Sequence, residues 1–220
     1  QRQYCGNLGK VENCQVGVFM AYVKNGSRLL LDYRLYLPKS WTSNSKRCDS
    51  AGIPIEHRTF KTKAELSYEL IVDALRSKIP FSHVNMDGFY GSQPWLLTLL
   101  EALGVTYVAD IGSDDRVFLE VPEYGIPLKC NPRGRPPSQV KVLNTTPIRV
   151  DEIMRKIKRW RILRVRRAMN GFLEVNFYAL KVWRIDKDIQ EPLPVWLLIR
   201  KELEEPKIKY SLCNGNHINS

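Results

Sequence analysis

The chain has 220 residues and a formal net charge of +11, a length that allows one sizeable core with an elaboration or two small domains. No apolar run reaches the roughly 18 residues that a membrane-spanning helix needs, and no secretory signal is visible. Five cysteines without a C-x-x-C pair argue against a closed disulfide framework, and three histidines far apart in sequence argue against a zinc site.

The basic excess is confined to one part of the chain. Residues 1–128 hold 14 basic and 14 acidic side chains, whereas residues 129–220 hold 20 basic and 9 acidic ones. Such asymmetry indicates a polyanionic partner, and nucleic acid is the commonest polyanion that proteins bind.

The first elements are a hairpin and a helix. Residues 13–41 predict two strands joined by the turn Lys24-Asn25-Gly26-Ser27, because Asn-Gly between apolar and aromatic runs is a strong hairpin signal. Residues 42–60 are polar and predict a loop. Residues 61–79 place apolar side chains at helical spacing, and Pro80 lies beyond the end of that helix.

Strands and helices then alternate. We predict a short strand over residues 81–86, a helix over 92–104 and a strand over 105–111. This order favours an α/β sheet with the antiparallel hairpin at one side.

The composition changes after Arg116. Residues 117–121 favour a further strand, and residues 131–141 form a connection rich in Pro, Gly and Arg. Asp151 and Glu152 suit the N-terminus of a helix that we predict through residue 160. Three apolar runs predict an antiparallel meander: residues 172–185, 194–203 and 207–213.

The stretch 81-FSHVNMDGFYGSQPW-95 ends an apolar run on a carboxylate. Open α/β sheets bind ligands at the carboxyl ends of their strands, so Asp87 is well placed to contact a metal ion or a substrate. The same position equally suits an aspartate that caps a turn with Gly88. Asp110 repeats the geometry one strand later and is a rival acid.

The run 155-RKIKRWRILRVRR-167 contains no acid and includes Trp160. Interleaved cations and an aromatic ring suit phosphate contacts combined with base or sugar packing. Charged runs are often solvated faces, but oppositely charged neighbours usually accompany them there. The candidate nucleic-acid-binding residues are Arg155, Lys156, Lys158, Arg159, Arg161, Arg164, Arg166 and Arg167.

Several sequence blocks resemble, in the same order, those of a known family. They are 9-GKVENCQVGVFMAYV-23, 36-YLPKSW-41, 84-VNMDGFYG-91, 182-VWRI-185, 195-VWLLIR-200 and 209-KYSLCN-214. With these blocks the chain is similar to the DDE transposases of bacterial insertion sequences. More narrowly it resembles the group named after insertion sequence seven-hundred-and-one, also described as DDE superfamily endonucleases.

The resemblance implies an RNase H-like α/β fold, a mixed sheet with a β-rich insertion. In such enzymes two aspartates and a glutamate hold two divalent metal ions, which activate water or a 3′-hydroxyl against a phosphodiester. Asp87 matches the second aspartate, so the resemblance assigns it as a catalytic residue and metal ligand. The implied cofactor is Mg²⁺ or Mn²⁺, hard cations that take oxygen ligands.

The resemblance also implies how the chain is divided. Residues 1–116 correspond to part of the catalytic core, and residues 117–220 to a basic, β-rich insertion that ends before the helix of the catalytic glutamate. The family's first aspartate lies on a strand upstream of Gln1. We therefore expect an incomplete sheet without its first strand, and a chain that is inactive alone although its intact form cleaves and joins DNA. Glu174 lies in the insertion and is not the family's glutamate.

The implied partners are transposon ends and target DNA, and the resemblance is compatible with a homodimer of the intact enzyme. The expected location is the bacterial cytoplasm, at the nucleoid, with no membrane contact. Two alternatives stay open: a decayed or repurposed DNA-binding remnant without catalysis, and a metal-free RNA-binding module, which fits the charge but not the sequence blocks.

Overall fold

A computed structural model describes residues 2–6, 8–128, 137–168, 171–203 and 207–215. The chain forms two compact units, Gln1–Pro80 and Phe81–Ser220, here the first unit and the second unit. The functional division at residue 116 concerns catalytic roles rather than compactness, and it stays a prediction.

The first unit consists of two hairpins followed by helices. In chain order its elements are β1 (Arg2–Cys5), β2 (Lys10–Asn13), β3 (Val16–Lys24), β4 (Ser27–Tyr36), α1 (Lys39–Thr42), α2 (Ser45–Ser50), a single helical turn (Ile55–His57) and α3 (Lys63–Arg76).

The predicted hairpin is confirmed as the pair β3 and β4, but it forms a two-stranded sheet of its own rather than the side of the α/β sheet. Asn25 and Gly26 both adopt positive φ, 51° and 83°, as a two-residue turn that follows the strand twist requires. Helix α3 is also confirmed, and its N-terminus is closed by a capping box between Thr62 and Glu65.

Two features of the first unit differ from the sequence prediction. Residues 42–60 are not a plain loop, because α2 buries Cys48 and the guanidinium of Arg47 lies 4.2 Å from the ring centroid of Trp41. The strands β1 and β2 were not predicted. They are short and mostly exposed, so they carry little hydrophobic periodicity.

The second unit holds the remaining elements. They are β5 (Val84–Met86), α4 (Gly88–Gly91), α5 (Pro94–Ala102), β6 (Tyr107–Ile111), β7 (Arg116–Phe118), β8 (Tyr124–Gly125), β9 (Lys141–Val142), β10 (Ile148–Arg149), α6 (Val150–Arg155), β11 (Arg161–Ala168), β12 (Gly171–Arg184), β13 (Leu193–Glu202) and β14 (Ile208–Cys213).

One sheet organises the second unit, in the order β10-β7-β12-β13-β14-β6-β5, with β11 also paired to β12. Strands β5 and β6 are parallel, and the other pairs of this sheet are antiparallel. The fold is therefore mixed α/β, as predicted, and the expected meander is confirmed as β12, β13 and β14. The RNase H-like relationship stays a prediction.

Alternation along β13 separates the two faces of this sheet. Val195, Leu197 and Ile199 are buried on the core face, whereas Leu198 and Arg200 point to the other face and are half-buried. Helix α5 belongs to the core face, because Arg184 of β12 donates to its Thr98 and Glu101. The opposite face is called the cleft face below.

The basic run takes a different conformation from the one predicted. Helix α6 ends at Arg155 rather than at Trp160, and residues from Arg161 onward form β11 along β12. The ring of Trp160 packs edge-on against Tyr178, so tertiary contact replaces further helix. Strand β7 is also shorter than the predicted strand over residues 117–121.

Candidate active site and nucleic-acid interface

Asp87 lies directly after β5 and forms the N-cap of α4. Its Oδ1 accepts a hydrogen bond from the backbone N–H of Phe89 at 3.0 Å. No further hydrogen bond or ion pair engages this exposed carboxylate among the described residues. Both readings of the position are therefore compatible: one oxygen closes a helical turn, and the other is available to a ligand at the end of the strand.

Gly91, the last residue of V-N-M-D-G-F-Y-G, positions this turn. A Cβ at residue 91 would overlap the backbone carbonyl of Asp110 on β6, whereas a Cβ at Gly88 would make an ordinary contact of 3.8 Å with the same oxygen. Helix α4 can therefore approach β6 closely only because residue 91 has no side chain. That approach fixes the distance between the Asp87 turn and β6.

Asp110 is engaged by its neighbours on β14. Its Oδ1 accepts from the hydroxyl of Ser211 at 2.7 Å, and its Oδ2 accepts from Nζ of Lys209 at 3.1 Å. Both oxygens thus have partners, and the nearest charge is an ammonium group. Of the two rival acids, Asp87 is the one with a carboxylate oxygen left for a metal ion.

The two aspartates line a cleft of about 700 Å³ on the cleft face. Strand order and register explain the juxtaposition, because β5 and β6 are adjacent and Asp110 is paired with Ser211. Lys209 and Arg200 lie on the same floor, directly opposite each other on β14 and β13. Neither cation stands out in the sequence, because Arg200 precedes Lys201 and Lys209 follows Lys207 at the ends of apolar runs, where charged residues are common.

The basic run does not form one continuous stripe. An apolar pocket of about 410 Å³ is lined by Lys156, Lys158 and Arg159 together with Ile153 and Tyr178. By alternation along β12, Tyr178 and Phe177 belong to opposite faces of the sheet. The pocket therefore lies on the side of the sheet that faces away from Asp87.

Two cations of the run have acidic partners from elsewhere in the chain, contrary to the expectation that such neighbours are absent. Arg155 pairs with Asp151 at 3.1 Å, and Arg164 pairs with Glu174 at 2.9 Å. The structure gives no support to Glu174 as a catalytic acid. The backbone of Arg166 and Arg167 belongs to β11, but their side chains lie outside the described residues. Nucleic-acid binding by the run stays a prediction.

A buried charged cluster on the core face was missed. Arg184 is 2% exposed and binds Glu101 at 2.9 Å, with Asp186 at 3.6 Å. The hydroxyl of Tyr107 donates to the same Glu101, and burial next to that carboxylate raises the pKa of Tyr107. The sequence contains a signal for this cluster. Arg184 in V-W-R-I-D falls at a core position of an alternating strand, and a charge at such a position needs a buried partner.

The described residues test only part of a metal site. Asp87 fits as one hard oxygen ligand. No group of three or more His, Cys, Asp or Glu side chains that could hold a metal ion occurs within the described ranges. The described residues therefore offer Asp87 as a candidate ligand, without a complete coordination shell around it.

Comparison with known proteins identifies the family. A family model described as DDE superfamily endonuclease matches residues 1–171. No curated protein and no solved structure matches the chain. Within the described part of the chain, no helix is long and apolar enough to cross a membrane.

Proposed function

Because the chain belongs to the DDE superfamily endonuclease family, we propose that it is the central part of a DNA transposase that cleaves and joins DNA at insertion-sequence ends. The observation that carries the proposal is Asp87, an exposed carboxylate held at the end of β5 by the turn into α4. We place the enzyme in the bacterial group named after insertion sequence seven-hundred-and-one, on the sequence blocks quoted above.

The proposed core is RNase H-like. The hairpin β3–β4, helix α3, the parallel strands β5 and β6 and the intervening helix α5 follow one another in the order expected of such a core. The strands from β7 to β14 then correspond to the β-rich insertion. The continuous sheet from β6 through β14 to β12 supports an insertion built directly onto the core strands.

Asp87 would hold a divalent metal ion, for which we propose Mg²⁺ or Mn²⁺. When bound, two such ions stabilise the attacking and leaving oxygens of a phosphodiester displacement. The chain's own contribution is to fix one ligand: the N–H of Phe89 orients one oxygen of Asp87, and the close packing of Gly91 sets the turn against β6.

The remaining ligands belong, in this proposal, to two further acids of the intact enzyme. One carboxylate cannot position two dications, because each ion needs several oxygen ligands. Residues 1–220 alone are therefore expected not to cleave DNA. A repurposed DNA-binding remnant is the second candidate, favoured by the incomplete donor set of the described residues.

The test is to locate the metal in an enzyme that carries this sequence together with the two other acids. Fe²⁺ is substituted for Mg²⁺, and hydroxyl radicals generated at the ion with ascorbate and peroxide cut the nearby backbone. We expect cuts beside Asp87, lost in Asp87→Asn and retained in Asp110→Asn. Cuts unaffected by Asp87→Asn would contradict the metal assignment, and the absence of any metal-dependent cut would favour the remnant.

A further inference from the structure

The cleft face presents a row of four side chains across successive strands. Register places Arg161 opposite Phe177, Phe177 opposite Arg200, and Arg200 opposite Lys209. Directly opposed residues share a face, and strands lie about 4.8 Å apart, so the row runs for about 15 Å. A half-buried aromatic ring thus has cations on both sides.

Arg200 is incompletely satisfied within this row. Its Nε is buried and has no hydrogen-bond partner among the described residues. The contact between its Nη2 and Glu202 is long, at 3.5 Å. A buried N–H without an acceptor is costly, and a guanidinium in this state is suited to a bidentate oxyanion such as a phosphate.

We propose that this row binds an unpaired nucleic-acid strand, with a base stacked on Phe177 and a backbone phosphate at Arg200. Aromatic rings flanked by cations on an open sheet are the recurrent solution for single strands, because every base has a π-face and every nucleotide a phosphate. The bases of a duplex are stacked on one another, so only an unpaired base can lie on the ring.

The charges of the cleft differ between its two ends. Arg200 and Lys209 lie on the floor of the cleft on β13 and β14, whereas Asp87 and Asp110 lie at its edge beside β5 and β6. A phosphate held at Arg200 lies two strands away from Asp110, whose charge is neutralised by Lys209 on the strand between them. A strand bound in this row lies in the same cleft as Asp87, and a phosphate beside that carboxylate needs a cation between the two like charges.

This inference rests on the proposed function, since it names the form of DNA that enters the same cleft. It is tested with the full 220-residue chain by fluorescence anisotropy. The probes are labelled oligodeoxythymidine, a labelled duplex of the same length, and oligouridine. Circular dichroism during heating verifies that each variant is folded.

Neighbouring residues provide matched controls on the opposite face. Phe177→Leu should weaken single-strand binding at least about fivefold and leave duplex binding unchanged, whereas Tyr178→Leu, on the opposite face, should leave single-strand binding unchanged. Phe177→Trp, which keeps an aromatic ring at this position, should bind the single strand as tightly as the wild-type chain does. Arg200→Gln should weaken single-strand binding more than Lys201→Gln, which removes the same charge from the other face. If Phe177→Leu proves to be unfolded, the comparison of these two variants tests the inference instead.

The outcomes separate the two claims. If Phe177→Leu and Arg200→Gln bind the single strand no worse than Tyr178→Leu and Lys201→Gln, the inference is wrong, while retained duplex binding leaves the proposed function intact. Failure of the wild-type chain to bind either DNA form counts against the proposed function itself. Preference for oligouridine would indicate RNA and contradict both.

Discussion

At the scale of single residues, the two aspartates differ in what already engages them. One oxygen of Asp87 accepts a hydrogen bond from the N–H of Phe89, while Asp110 accepts hydrogen bonds from both Ser211 and Lys209. The sequence placed both at strand ends but could not rank them by their surroundings. Lys209 and Ser211 lie about a hundred residues downstream of Asp110, and only antiparallel pairing of β14 with β6 brings them together.

Arg184 yields the clearest prediction about a single side chain. Arg184→Met leaves Glu101 and Asp186 without their cation on the buried core face, so the free energy of unfolding should fall by about 3–5 kcal/mol. Lys181→Met removes an exposed cation from the same strand and should change it by no more than about 0.5 kcal/mol. Urea unfolding measures both. Equal losses for the two variants would contradict the role of the buried cluster.

At the scale of elements, the sequence predicted those helices and strands whose conformation depends on their own residues. The hairpin β3–β4 follows from Asn25-Gly26, and α3 follows from helical spacing behind Thr62. Strand β11 was missed because its pattern mixes Arg with apolar residues on both faces of an edge strand. Its pairing with β12, rather than its own periodicity, decides its conformation.

The turn of α4 provides a matched pair of glycine variants. Gly91→Ala should destabilise the second unit, because its methyl group meets the rigid backbone carbonyl of Asp110 and α4 must move away from β6. We expect a loss of about 1–3 kcal/mol in the free energy of unfolding. Gly88→Ala meets the same oxygen at an ordinary distance and should be nearly neutral.

Thermal unfolding followed by circular dichroism distinguishes the two glycine variants. In the intact enzyme Gly91→Ala should also slow DNA cleavage, because it displaces the cap residue Asp87. A stable and fully active Gly91→Ala enzyme would show that α4 has freedom to shift without moving the carboxylate.

At the scale of the whole molecule, the net charge is not spread evenly and is not all available. The excess of +11 lies in residues 129–220, yet Arg155 and Arg164 there are paired with acids. Lys156, Lys158 and Arg159 instead surround a separate pocket. The sequence revealed the amount of charge and its segment, whereas its division between two faces depends on the strand that the run forms.

Salt dependence tests this division. If Lys158 and Arg159 contact phosphates of a duplex, replacing both with Gln should reduce the slope of log K against log salt by about 1.8, because each phosphate contact contributes about 0.9. Replacing Arg155 and Arg164, which already have acidic partners, should reduce it less. Binding titrations at several salt concentrations measure the slopes, and equal reductions would contradict the distinction between paired and unpaired cations.

Strand cleavage by the intact enzyme distinguishes Asp87 from Asp110 as the proposed catalytic metal ligand. Asp87→Ala and Asp110→Asn are compared with wild type at saturating Mg²⁺, with DNA affinity measured in parallel. We predict that Asp87→Ala lowers the cleavage rate by at least about a hundredfold with DNA affinity nearly unchanged, and that Asp110→Asn has a much milder effect. Wild-type cleavage by Asp87→Ala, or a larger loss in Asp110→Asn, would show that Asp87 is not the metal ligand.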